Sequence, residues 1–276
     1  MDVCLGRDGT TETLWACDTS SIMTVITHPS ACYGVSYSLE RTLLLRGTDI
    51  LVERRDESAN SSALDLSGKA VIAIPVSDPG ASWELLRVPL ERGLPAMNRV
   101  VYGEREDRIW LSQISQIPSE ANAQTLQHIL LTAQPHTSDL GQVALGRPFG
   151  GDFAVSPDGS AIFYLGLEQG SPIATLRTDE GDRELSLDLA TAYHPVFSPD
   201  GAVLCLVGSE KLDGPTSLWL YDLESGECRQ MKSTEGLMPT YPAFSPDGER
   251  VAFRHFGMGE IWTVSVDDGA LTRYAL

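Results

Sequence analysis

Lysine is almost missing from this chain: Lys69, Lys211 and Lys232 are the only three among 276 residues, so arginine supplies nearly all the positive charge. That charge is far outweighed, since the formal net charge at pH 7 is −18. So acidic a chain repels polyanions, which excludes nucleic acid as a partner and disfavours an anionic membrane surface. Cysteine is scarce and unpatterned. Cys4, Cys17, Cys32, Cys205 and Cys228 are odd in number, widely spaced and without a CxxC pair. Neither a disulfide framework nor a zinc site is expected from them, and they read as small buried hydrophobes of a reducing compartment. The opening residues, Met1 to Arg7, have neither the basic start nor the apolar run of a signal peptide. A cytoplasmic protein is expected, or a periplasmic or secreted one if a leader has been removed.

Sharp catalytic signatures are missing as well. The sequence holds no G-x-S-x-G elbow, no HExxH, no Walker A loop and no Rossmann glycine fingerprint. No metal or other cofactor is expected. Acidic clusters such as Asp179 to Asp182 and Asp267-Asp268-Gly269 lack the ligand spacing of a calcium loop and read as solvated turns.

What is present is a repeat. Phe244-Ser245-Pro246-Asp247-Gly248 recurs as Phe197-Ser198-Pro199-Asp200-Gly201 and as Val155-Ser156-Pro157-Asp158-Gly159, at spacings of 42 and 47 residues. The pentapeptide is turn chemistry. Proline presets φ for a type I turn, aspartate accepts hydrogen bonds from nearby backbone, and glycine takes the φ > 0 position that closes a three-residue hairpin. A lone carboxylate beside such a turn is structural, not a metal ligand. After the second and third hairpins comes a tryptophan strand, Leu218-Trp219-Leu220-Tyr221-Asp222 and Ile261-Trp262-Thr263-Val264-Ser265. An acidic turn ending in Gly226 or Gly269, and in Gly181 one unit earlier, leads to a fourth strand. Four antiparallel strands in this order make one propeller blade.

The Phe-Ser-Pro-Asp-Gly hairpin with its Leu/Ile-Trp strand and acidic glycine turn resembles the WD40-like (PD40) repeat of TolB-like β-propellers, which also occurs in the propeller domains of prolyl-oligopeptidase-like peptidases. The resemblance is specific over residues 150–276 and weaker before them. It implies an all-β propeller, 1–276 as a single domain, with six or seven four-stranded blades, seven being favoured, and an incomplete N-terminal blade. With no nucleophile elbow, the peptidase activity of the oligopeptidase relatives is not expected.

Residues 1–149 carry degenerate units. Val3-Cys4-Leu5, Leu14-Trp15 and Ser21 to Ile26 read as three strands of a blade whose first strand is missing. Residues 35–38, 42–45 and 49–52 suit a second blade, and residues 64–68 and 70–74 begin a third with Trp83 on its third strand. Arg99 to Tyr102 and Ile109-Trp110 match Arg250 to Phe253 and Ile261-Trp262. Residues 116–142 suit a long surface loop with a strand, or alternatively a helix, over residues 126–131.

In propellers the innermost strands line a central channel, and ligands meet the rim where the chain enters those strands. Three residues before Val155, Phe197 and Phe244 stand Asp152, His194 and Tyr241. Counting back from Val35 in the same way gives Cys32, weaker alignments add Ser61 and Arg99, and Tyr193 and His255 flank the trio. A histidine beside a carboxylate could transfer protons or hold a polar ligand. The same side chains, each of His194 and Tyr241 standing before a proline, would also serve simply to cap backbone groups. Two function classes follow. The favoured one is a non-catalytic scaffold, monomeric, binding a protein or peptide partner on the rim. The other is a small-molecule enzyme, a lyase or hydrolase on a polar or acidic sugar-like substrate, with His194, Asp152 and Tyr241 as its catalytic set. Lyases of pectin fragments with a similar propeller bind metal through several histidines; the single histidine of this stack counts against that identity.

Overall fold

The computed structural model describes residues 2–8, 11–18, 21–28, 43–46, 49–55, 69–75, 83–88, 99–103, 108–118, 124–134, 140–168, 171–245, 247–256 and 260–274. The strand expected at residues 35–38, residues 64–68, Cys32, Ser61 and Pro246 lie outside them. The chain divides into two compact units, Val3–Leu145 and Gly146–Leu276, the latter with Met1–Asp2. Among the described residues no helix is long and apolar enough to cross a membrane.

The first unit contains three antiparallel sheets. One is three-stranded, with β1 (Asp2–Asp8), β2 (Thr11–Asp18) and β3 (Ser21–His28) in chain order, matching the incomplete blade read from the sequence. The next joins β4 (Leu43–Arg46), β5 (Asp49–Arg55), β6 (Lys69–Pro75) and β7 (Trp83–Val88). Two blades were expected over this stretch, yet its strands share one sheet, and Trp83 begins the fourth strand, not the third. Of the connections in this sheet only the one before β7 holds a proline-glycine pair, Asp78-Pro79-Gly80, so little local in the sequence fixes the register of β4, β5 and β6. The last sheet of the unit orders β8 (Arg99–Gly103), β9 (Arg108–Pro118), β10 (Gln124–Ala133) and β11 (Gly141–Val143). Trp110 therefore lies on a second strand, not on the third as the match to Trp262 implied. The segment read as strand or helix is strand: β10 pairs with β9 from Gln124↔Pro118 to Ala133↔Ile109.

The second unit is the regular one. It holds β12 (Phe153–Val155), β13 (Ile162–Glu168), β14 (Ser171–Thr178) and β15 (Gly181–Leu185), then β16 (Thr191–Phe197), β17 (Val203–Ser209), β18 (Ser217–Asp222) and β19 (Cys228–Gln230). A third sheet follows, of β20 (Pro239–Phe244), β21 (Arg250–His255), β22 (Ile261–Ser265) and β23 (Leu271–Tyr274). Each is four-stranded in chain order, with the tryptophans Trp219 and Trp262 on third strands as expected. The described residues of the two units thus make six sheets.

The repeated turns work through their serine. The Ser156 carbonyl accepts from Gly159 N–H (2.8 Å), so it is not available to the ladder, and Ala161 N–H donates to Ser156 Oγ instead (2.9 Å). Ser156 Oγ–H donates in turn to Asp158 Oδ1 (2.6 Å), which also accepts from Ser160 N–H (3.1 Å). Ser198 with Asp200 and Ser245 with Asp247 repeat the pattern. The loop is consequently four residues long, from Pro157 to Ser160 in the first copy, and not three: the serine side chain stands in for a backbone acceptor. Gly159, Gly201 and Gly248 have φ of 74°, 75° and 75°, as the glycine reading requires. Successive turns also touch. A Cβ on Gly201 would lie 3.6 Å from Pro157 Cδ, and one on Gly248 would lie 3.6 Å from Pro199 Cδ, so the three turns sit side by side at one end of the unit.

This stacking lets the middle sheet bury both faces. Along β17, Leu204 and Leu206 face Phe163, Leu165 and Leu176 of the preceding sheet. Cys205 and Val207 face Val251, Phe253 and Val264 of the following one. Alternation along a strand sends neighbours to opposite sides, so a strand buried on both reads as an unbroken apolar run. Burial pushes the Cys205 thiol far up, in keeping with an inert core cysteine.

Hydrogen bonding to Ser156 foremost, then to Ser160, holds the Asp158 carboxyl down at about 2 against an ordinary 3.8, and Asp200 and Asp247 are lowered in the same way by Ser198 and Ser245. A depressed folded-state value means that stability is in place above about pH 4 and is lost as pH falls toward about 2. In urea titrations the wild-type midpoint should fall across that window more steeply than that of Asp158→Asn; parallel profiles would remove the carboxylate from the turn. Gly248→Val should destabilise by about 1–3 kcal/mol in the same assay at neutral pH, through the forced positive φ, and a neutral result would contradict the turn.

Candidate functional site

The first strands of the three regular sheets lie next to one another, β12 beside β16 and β16 beside β20, as the innermost strands of successive blades do. Asp152, just before β12, and His194 and Tyr241, within β16 and β20, each stand six residues before the turn aspartate. The strands β16 and β20 begin earlier than the sequence implied. Neither His194 nor Tyr241 caps a strand end, because β16 starts at Thr191 and β20 at Pro239. Both sit on bulges: pairing of β16 with β17 shifts between Tyr193 and Val196, and that of β20 with β21 between Thr240 and Ala243. Pro195 and Pro242 supply the reason. Proline has no N–H for the ladder, so the chain buckles at the preceding residue and pairing resumes beyond it, at Val196↔Cys205 and Ala243↔Ala252.

The buckle is unusual in its backbone. His194 and Tyr241 both have φ of 52°, in the left-handed region that non-glycine residues avoid at roughly 1–2 kcal/mol each. Proline next in sequence disfavours it further. Strain of this sort persists where surrounding structure imposes it, and it gathers at functional positions. Here its effect is to bring two aromatic rings together. The His194 and Tyr241 rings lie with centroids 3.9 Å apart, tilted by 38°, and Tyr241 N–H points to His194 Nδ1 over a long 3.5 Å. Tyr193 meets the imidazole edge-on, with centroids 5.0 Å apart. All three side chains are half-buried.

Asp152 belongs to the same end of the unit but acts on Tyr193. Burial foremost raises the Tyr193 phenol above its ordinary 10.0; the Asp152 charge adds to the rise, while a hydrogen bond with Thr216 opposes it. His255, at the end of β21, is buried, and its Nδ1 lies 2.8 Å from the Phe256 carbonyl, to which it donates in that tautomer. It pairs with Pro239, two residues from Tyr241. The structure thus gathers Tyr193, His194 and Tyr241, with Asp152 alongside Tyr193 and His255 on the neighbouring strand. Arg99 begins β8 in the other unit, and its side chain lies outside the described residues. Sequence reading missed Thr216. It also missed the bulges, although the His-Pro and Tyr-Pro pairs inside apolar strands were their signal. Among the described residues, no three His, Cys, Asp or Glu side chains gather as a metal site would need.

No protein-family model matches the sequence, and no curated protein does. Solved structures do match. TolB from Acinetobacter baumannii superposes with a TM-score of 0.68 at 15% identity, over 98% of this chain and 62% of that one. This chain therefore spans under two thirds of that protein's length. The Nidogen/Laminin complex contains a chain with a TM-score of 0.64 at 9% identity, covering 99% of this chain and 93% of that one. Oligogalacturonate lyase in complex with manganese gives 0.56 at 13% identity, over 99% and 84% of the two chains. Identities this low speak for the fold alone.

If tertiary packing holds the left-handed φ at 241, glycine there should be better tolerated than alanine. Tyr241→Gly should be more stable than Tyr241→Ala by about 1 kcal/mol in chemical denaturation, the reverse of the order in an ordinary strand. Alanine equal to or better than glycine would mean that the strained conformation is not populated. With sheets of this order and these structural relatives, the chain is a β-propeller protein with the fold of TolB.

Proposed function

We propose that this propeller is a binding scaffold that takes a protein or peptide partner on the end formed by Asp152, Tyr193, His194 and Tyr241. The observation that carries the reading is the half-buried aromatic group itself. Two successive repeats accept left-handed backbone at the same position to bring an imidazole and a phenol into tilted ring contact, an arrangement that core packing does not need. Tyrosine and histidine offer rigid, amphipathic area that loses little conformational freedom on binding, as hot-spot residues do. The TolB structure and the chain of the Nidogen/Laminin complex share the fold, which supports a scaffold without naming its partner.

The second reading is a small-molecule enzyme with His194 as acid or base. Its support is that the imidazole is positioned by a ring stack and a backbone N–H, with Tyr193 and the Asp152 charge close by, and that a lyase is among the proteins of this fold. Both readings use the same side chains and separate on what is lost. Immobilised protein should capture a defined partner from an extract of its source cells, with retention reduced about tenfold or more by Tyr241→Ala. Asp158→Asn, at the far end, should leave retention unchanged. Loss on the far-end substitution instead would contradict the placement, and turnover of an acidic sugar abolished by His194→Ala would move the assignment to the enzyme.

A further inference from the structure

Within the regular unit, chain direction sorts every connection to one of two ends. First-to-second and third-to-fourth strand turns share the end with the Ser-Pro-Asp-Gly motifs, while second-to-third turns and the links between sheets share the other. Among the described residues four large apolar side chains are exposed: Leu167 at 65%, Leu212 at 73%, Met238 at 45% and Phe256 at 59%. All four fall at the second end. Three of them fall at one repeat position, the second-to-third turn: Leu167 is next to last in β13, Leu212 lies between β17 and β18, and Phe256 follows β21. Met238 precedes β20 at a φ of 42°, and its carbonyl accepts from Phe256 N–H (3.0 Å), which sets these two residues together beside Pro239 and His255. A scattered leucine on a surface calls for no explanation, but recurrence at the same turn of three neighbouring sheets does.

The charges at this end have one dominant sign. Glu168, Asp188, Glu210, Asp213 and Glu235 are exposed there, against the exposed Lys211 and Lys232, while the exposed Arg147 and Arg273 are ion-paired with Glu184 and Glu260. Leu167 is followed by Glu168, and Leu212 stands between Lys211 and Asp213, with Glu210 one residue further back. Apolar side chains set among carboxylates complement a segment that carries large apolar residues with lysine or arginine between them. An anionic lipid surface fits the apolar part and is repelled by the rest.

Resting on the scaffold reading above, we propose that the partner is a basic, apolar-anchored peptide segment whose apolar side chains seat on Leu167, Leu212 and the Met238–Phe256 pair. Its cationic residues meet the surrounding carboxylates. The probe is a fluorescein-labelled peptide of about twelve residues with leucine at every third position and lysine and serine elsewhere, read by anisotropy against a twin in which glutamate replaces lysine. The lysine peptide should bind at least about tenfold more tightly than the twin and weaken as salt is raised. The combined variant Leu167→Ser, Leu212→Ser and Phe256→Ser should lose about tenfold or more in affinity while keeping the wild-type urea midpoint. Equal binding of the twin, or an unchanged affinity of the triple variant, would overturn the inference. Partner capture from the extract that is sensitive to Tyr241→Ala but not to the triple substitution would overturn this inference and leave the scaffold reading standing. Capture indifferent to both, and lost on substitution at the Ser-Pro-Asp-Gly end, would overturn the two together.

Discussion

A serine hydroxyl that donates to an aspartate two residues on, and accepts from a backbone N–H five residues on, is the contact from which the regular unit is built. It closes a four-residue loop that the backbone alone would leave short of an acceptor, and it does so three times with nearly the same distances. Because the glycine of one turn packs on the proline of the turn before, local closure becomes long-range order. The first strands are brought side by side, and the middle sheet acquires two apolar faces and two neighbours to bury them against.

The two ends of the unit then have different duties. At the turn end, side chains are spent on closing hairpins: Asp158, Asp200, Asp222, Asp247 and Asp268 are all lowered by hydrogen bonds from nearby serine and backbone groups. At the other end the links vary in length and composition, the backbone enters the left-handed region at Asp188, His194, Met238 and Tyr241, and large apolar side chains reach solvent. Rigidity at one end is what lets the other carry strain and exposed apolar area without unfolding.

Legibility followed the turn chemistry. Where proline, aspartate and glycine stand together, the strands, the third-strand tryptophans and the glycine conformations could all be read, since a tight turn is decided by residues in contact along the chain. Residues 43–88 lack the Ser-Pro-Asp-Gly order and bring the three residue types together only at Asp78-Pro79-Gly80, and their strands were divided between two blades when one sheet holds them. Apolar runs there name strands but not partners, because pairing is settled by the rest of the fold. The candidate site was legible as a position and not as a geometry. Counting back from the turns located Asp152, His194 and Tyr241. It did not foresee that Asp152 would act on Tyr193, or that two prolines would buckle their strands and stack an imidazole on a phenol. Left-handed backbone before proline runs against local preference, so only tertiary structure could reveal it.

The central claim is that successive turns touch and thereby align the strands that carry the aromatic group. Proton–proton nuclear Overhauser contacts test it directly in one sample. The account predicts cross-peaks between Gly201 and the Pro157 δ protons, between Gly248 and the Pro199 δ protons, and between the His194 and Tyr241 rings. Spectra with the contacts inside each turn but none from one turn to the next would contradict it.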